Sequence, residues 1–100
     1  MIDEPNTPKS VNALDKTSFL VSDEPVMNTA LDLLKIIQNT GEIIIKGKGN
    51  NCPNTVSVAN IITENMLKDN SKINKIIVDS YTTDDGYMIS TIEITITKIN

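Results

Sequence analysis

From residue 18 onward the chain switches between two hydrophobic periods, and the switching outlines a fold. The run Ser18-Phe19-Leu20-Val21 is short and apolar and stops at Ser22-Asp23-Glu24-Pro25. That ending joins a capping side chain, first-turn acids and an early proline, so a strand is predicted to feed directly into a helix. Val26, Ala30, Leu33, Leu34 and Ile37 then fall on one stripe at helical spacing, with Asp32, Lys35 and Gln38 on the other side. Asn39-Thr40-Gly41 ends the helix, and Gly41 suits a left-handed cap. Glu42-Ile43-Ile44-Ile45-Lys46 is too short and too β-branched for another helix. Its unbroken apolar centre predicts a central strand covered on both faces.

Gly47-Lys48-Gly49-Asn50-Asn51 reads as a loop, and Pro53 stands where a following helix would have its first turn. Val56, Ala59, Ile62, Asn65 and Met66 recur at helical spacing until Lys68-Asp69-Asn70-Ser71. Ile61 and Leu67 widen this apolar surface beyond one stripe, and the extra face predicts an oligomer contact centred on Ile62 and Met66. Two strands follow, Ile73 to Tyr81 and Met88 to Ile99, joined through Asp85-Gly86 as a two-residue hairpin turn. In the last strand Ile92, Ile94 and Ile96 alternate with Thr91, Glu93, Thr95 and Thr97, giving one core face and one wet face. The predicted class is therefore α+β, in the order βαβαββ: a mixed four-stranded sheet with two helices on one face. Residues 1–16 carry Pro5, Pro8 and scattered polar residues without a period. They are expected to form a flexible tail before a single domain over 17–100.

Composition narrows the function classes. With Phe19, Tyr81 and Tyr87 as the only aromatic residues, the core must be aliphatic and offers little for stacking on bases. The chain has no histidine, which removes His-dependent nucleophilic systems and His-containing zinc sites. Cys52 stands alone, so neither an intrachain disulfide nor a Cys-x-x-Cys metal pair is available, and it reads as a partly buried thiol. Asp84 and Asp85 lack the spaced ligands of a calcium loop and are explained by turn chemistry. The expectation is a binding protein rather than an enzyme, with no cofactor and no metal. No apolar run of membrane-spanning length and no leader pattern is seen. A cytoplasmic location away from membranes is expected.

Thirteen acidic residues face nine lysines, for a net charge of −4, and arginine is absent. That balance is unlike a generic polyanion binder. Within it, Gly47-Lys48-Gly49-Asn50-Asn51 leads from a strand into a helix N-terminus, where backbone N–H groups and Lys48 can converge on an anion. It has neither the third glycine of a dinucleotide fingerprint nor a P-loop ending, so the same residues also read as a tight strand-to-helix turn. Lys46 and Lys48, two apart on a strand, point to one face and can neutralise about two phosphates.

The residues Pro25-Val26-Met27-Asn28, the segment Glu42-Ile43-Ile44-Ile45-Lys46-Gly47-Lys48-Gly49 and the ending Ser90-Thr91-Ile92-Glu93-Ile94 resemble the Alba family of small nucleic-acid-binding proteins. The resemblance runs from about Ser18 to Lys98, with the motifs in family order. It implies the same βαβαββ fold and a dimer that binds double-stranded DNA or RNA, nucleoid- or chromatin-associated where DNA is the ligand. Carried over residue by residue, it implies contacts from Lys46, Lys48, Gly49, Asn50, Asn51 and Asn54.

The departures share a sign. Asp23-Glu24 stands where the family usually has two lysines, and Lys46-Gly47-Lys48-Gly49-Asn50 replaces a Lys-Ala-Arg-Gly-Arg pattern. Asn54 takes the place of a lysine, and the short hairpin carries Asp84-Asp85-Gly86. Two expectations follow. One is a weak, salt-sensitive nucleic-acid binder whose asparagine amides suit ribose hydroxyls. The other is an acidic subunit that pairs with a basic Alba-like paralogue and tunes its binding.

Overall fold

The computed structural model of the chain describes residues 18–99, so the tail expected over 1–16 lies outside the described residues. The elements run β1 (Ser18–Leu20), α1 (Val26–Thr40), β2 (Glu42–Lys48), α2 (Cys52–Ile61), β3 (Ser71–Thr82) and β4 (Met88–Lys98). A 3-10 turn over Gly49–Asn51 precedes α2, and a π-helical turn over Ile62–Met66 extends it. The strands form one mixed sheet in the order β1-β2-β4-β3, with β1 parallel to β2 and the other pairings antiparallel. The predicted class and element order are those observed.

The sheet is built by pairing isoleucines. Ile43 faces Ile96 and Ile45 faces Ile94, and all four are buried on the face covered by the helices. Ala30, Leu33 and Ile37 of α1 and Val58, Ala59 and Ile62 of the second helical segment complete that core. Fully burying each isoleucine contributes about 1.5–3 kcal/mol, and β-branched side chains suit the pleated surface. Gly41 ends α1 in the left-handed region (φ 85°) and donates its N–H to the Ile37 carbonyl at 2.7 Å, as its position predicted.

Several local expectations are corrected. Helix α1 starts at Val26, so Asp23 and Glu24 precede the first turn instead of occupying it. Ser22 does not cap the helix; its Oγ accepts a long 3.5 Å hydrogen bond from the Glu24 N–H. Gly47 and Lys48 continue β2 instead of opening a loop. The second helix buries Thr55, Val58 and Ala59 while Val56 is exposed, a stripe rotated from the predicted one. The cause is close packing against β2, which favours small residues over the bulkiest hydrophobic period. Helical hydrogen bonding lengthens to the π pattern at Leu67 N–H to Ile62 O, 2.8 Å, with Leu67 buried rather than part of an outer face. The hairpin loop has three residues, Asp84-Asp85-Gly86, not two. Thr83 and Tyr87 close it with N–H to carbonyl at 2.7 Å, and Gly86 takes φ 91° as in a glycine bulge.

β3 carries an irregularity between Ile73 and Lys75, where Asn74 has no partner on β4. Residues on either side of this bulge change the parity expected from sequence spacing.

The tightest approach lies between β2 and α2. A β-carbon added at Gly47 would overlap Thr55 Oγ1 and stand 2.8 Å from the Asn51 carbonyl oxygen. Thr55 is fully buried and donates its hydroxyl to that same carbonyl at 2.7 Å. Gly47 thus matches a threonine that fills the space where a side chain would stand. Gly47→Ala should destabilise the fold by about 1–3 kcal/mol in urea unfolding. Adding Thr55→Ala should make the pair less costly than the sum of its parts; strict additivity would mean that Thr55 does not fill the space.

Candidate functional site

The face of the sheet away from the helices is described by the strand register. Lys46 lies opposite Glu93, which lies opposite Ile77; Lys48 lies opposite Thr91, which lies opposite Asp79. Leu20 pairs beside Lys46 and is 62% exposed. The predicted sharing of a face by Lys46 and Lys48 follows from their both lying within β2. Together these side chains line a shallow depression of about 280 Å³.

The electrostatics of this face are mixed. Lys46 Nζ stands 3.9 Å from Glu93 Oε1, with both side chains substantially solvated. At that distance and exposure the pair contributes little to stability, but it partly cancels the charge that Lys46 presents to an anion. Lys48 is exposed, and Asp79 is its acidic neighbour across Thr91.

The chain leaves β2 at Lys48 and enters α2 through Gly49–Asn51. Gly49 takes φ 59°, a conformation glycine adopts without a steric penalty. Asn54 Nδ2 donates to Asn51 Oδ1 at 3.4 Å, so these two amides are tied to each other, while Asn50 is exposed. Pro53 occupies the first turn of α2, where a missing N–H is tolerated. The Cys52 thiol sits under this turn, 3.7 Å from the Gly47 carbonyl oxygen and 3.5 Å from that of Ser90. It fastens the turn to β4 as a half-buried packing residue. Lys46, Lys48, Gly49, Asn50, Asn51 and Asn54 are thereby brought to one end of the sheet, with Lys46 and Lys48 on its open face and the asparagines at the helix entrance.

Of the residues expected to form the oligomer contact, Ile62 has no exposed surface: it is a core residue of its own protomer. Ile62 continues the buried stripe of Thr55, Val58 and Ala59 at helical spacing, and Met66, at the end of the π turn that begins there, is half-buried. Exposed apolar surface lies instead on β3 and β4. Ile76 and Val78 share the face of Ile94 and Ile92, yet are 53% and 70% exposed, because they extend past the helices. Met88, at 72%, is exposed near the hairpin end of β4. The consecutive run Ile76-Ile77-Val78 was the sequence signal: no single-faced strand buries all three.

Sequence reasoning also missed Lys72 and Lys75. They pair with Thr97 and Thr95, which places both on the open face. Their spacing of three suggests opposite faces, and only the bulge at Asn74 brings them together.

Among the described residues no helix is long and apolar enough to cross a membrane. The model of the Alba family matches residues 17–80. Among solved structures, the chain is similar to Alba from Thermoplasma volcanium at 30% identity and TM-score 0.70, covering 81% of this chain and 99% of that one. It also shares the fold of ALBA1 from Trypanosoma brucei at 21% identity and TM-score 0.65, covering 83% of this chain and 69% of that one. The comparison with curated proteins gave no match.

Proposed function

Because this chain belongs to the Alba family, whose members are nucleic-acid-binding, chromatin-associated proteins and typically dimers, we propose that it is a weak, salt-sensitive nucleic-acid-binding dimer. The observation that carries this reading is the convergence of Lys46 and Lys48 with the Gly49–Asn51 turn at one end of the sheet. Lysines supply phosphate contacts, and the amides of Asn50, Asn51 and Asn54 supply neutral donors for sugar or phosphate oxygens. The ligand is double-stranded DNA or RNA. The weakness has a local cause, since Glu93 and Asp79 stand among the lysines on the same face.

The dimer in this reading is a homodimer that covers Ile76, Val78 and Met88 together with the half-buried Met66. Strand residues this exposed on a core-facing side gain stability when a second copy removes them from water. A second reading is favoured by Asp23 and Glu24, both exposed just before α1, and by the acidic hairpin tip. Here the same apolar surface pairs with a basic Alba-like paralogue, and charge complementarity selects the mixed dimer.

Four measurements test these readings. The double variant Lys46→Ala with Lys48→Ala should weaken duplex binding in fluorescence anisotropy and flatten the plot of log affinity against log salt by about 2 or less. Unchanged binding would remove this surface from the interface. Glu93→Gln should act in the opposite direction, raising affinity at low salt by releasing Lys46. For the dimer, Val78→Asp should yield a monomer in analytical ultracentrifugation, and native mass spectrometry of the wild type mixed with a basic Alba protein distinguishes self-pairing from mixed pairing.

A further inference from the structure

The two edges of the sheet differ in kind. At the β3 edge lies a long strand, whereas at the other edge lies β1, three residues long, beside the first turns of α1. The Val21 N–H donates inward to the Lys46 carbonyl at 2.8 Å. Strand alternation therefore turns the N–H and C=O of Leu20 outward, away from β2. Along this edge runs a groove of about 210 Å³ between β1 and α1. Phe19, Leu33 and Ile36 give it an apolar floor, Thr29 a hydroxyl, and Glu24 and Asp32 an acidic rim with no lysine among the lining residues.

We propose that this edge receives an extended basic segment of a partner protein, added to the sheet as a fifth strand beside β1. The backbone of the segment bonds to Leu20, the mode by which strand edges capture peptides. Alternate side chains face the groove, so the fitting pattern is basic-x-apolar-x-basic: the apolar residue on Phe19, Leu33 and Ile36, and its cationic neighbours two positions away beside Glu24 and Asp32. The acids argue against any polyanion here, since phosphate groups would be repelled, and separate this edge from the lysine-bearing end of β2. Asp23 adds to the same negative field from the turn before α1. The inference does not depend on the nucleic-acid reading.

The test is an NMR titration of the full chain with the probe peptide Lys-Thr-Val-Thr-Lys-Thr-Val and with its counterpart bearing glutamate for lysine. The lysine peptide should shift amide resonances across 18–22 and 29–36 and slow hydrogen exchange at Leu20. The glutamate peptide should do neither. Asp32→Lys, an exposed helix substitution that leaves the core untouched, should weaken the lysine peptide at least about fivefold. Absence of binding, equal binding of both peptides, shifts confined to β3, or an unchanged affinity in Asp32→Lys would each overturn the proposal.

Discussion

The placement of the candidate site depends on one close contact, that of Gly47 with Thr55. Where β2 meets α2 there is room for a hydrogen atom but not for a methyl group, and the threonine hydroxyl is already committed to the Asn51 carbonyl. This contact sets how near the helix lies to the strand and how abruptly the chain must turn between them. The left-handed Gly49, the 3-10 turn and the Cys52 thiol lodged near the Gly47 and Ser90 carbonyls all follow from the short path that remains. Lys46 and Lys48 are fixed by the same geometry, because a strand that buries residue 47 must present residues 46 and 48 on its other face.

The charge of the surface is a matter of arrangement more than of total. Although the chain is acidic overall, its acids and lysines are sorted. The open sheet face holds lysines interleaved with Glu93 and Asp79, while the β1 side of α1 holds acids over an apolar groove. One molecule thereby offers two surfaces of different sign. A protein with this layout discriminates by where a partner lands as well as by how strongly it is attracted.

Much of this was legible in the chain, and the failures share a cause. The six elements, their order and the core isoleucines followed from periodicity, and Gly41 and the Lys46 to Asn54 segment followed from local chemistry. What escaped were features set by contacts distant in sequence. The stripe of α2 depends on how closely β2 approaches, which no window of α2 contains. Ile62 looked like surface because the stripe was drawn through Val56, whereas the buried stripe is Thr55, Val58, Ala59 and Ile62. The grouping of Lys72 with Lys75 was hidden by an unpaired residue that appears only once the register with β4 is known.

That unpaired residue, Asn74, has a wider consequence. Because strand faces alternate, one extra residue exchanges everything beyond it between the two sides of the sheet. Were Asn74 instead to pair with Ile96 in regular alternation, Ile73 would move opposite Thr97 and Lys72 opposite Lys98, sending a lysine toward the core and an isoleucine into water. The partition of cations from hydrophobes along this strand is therefore held by which residue is left out of the pairing as much as by the residues' identities.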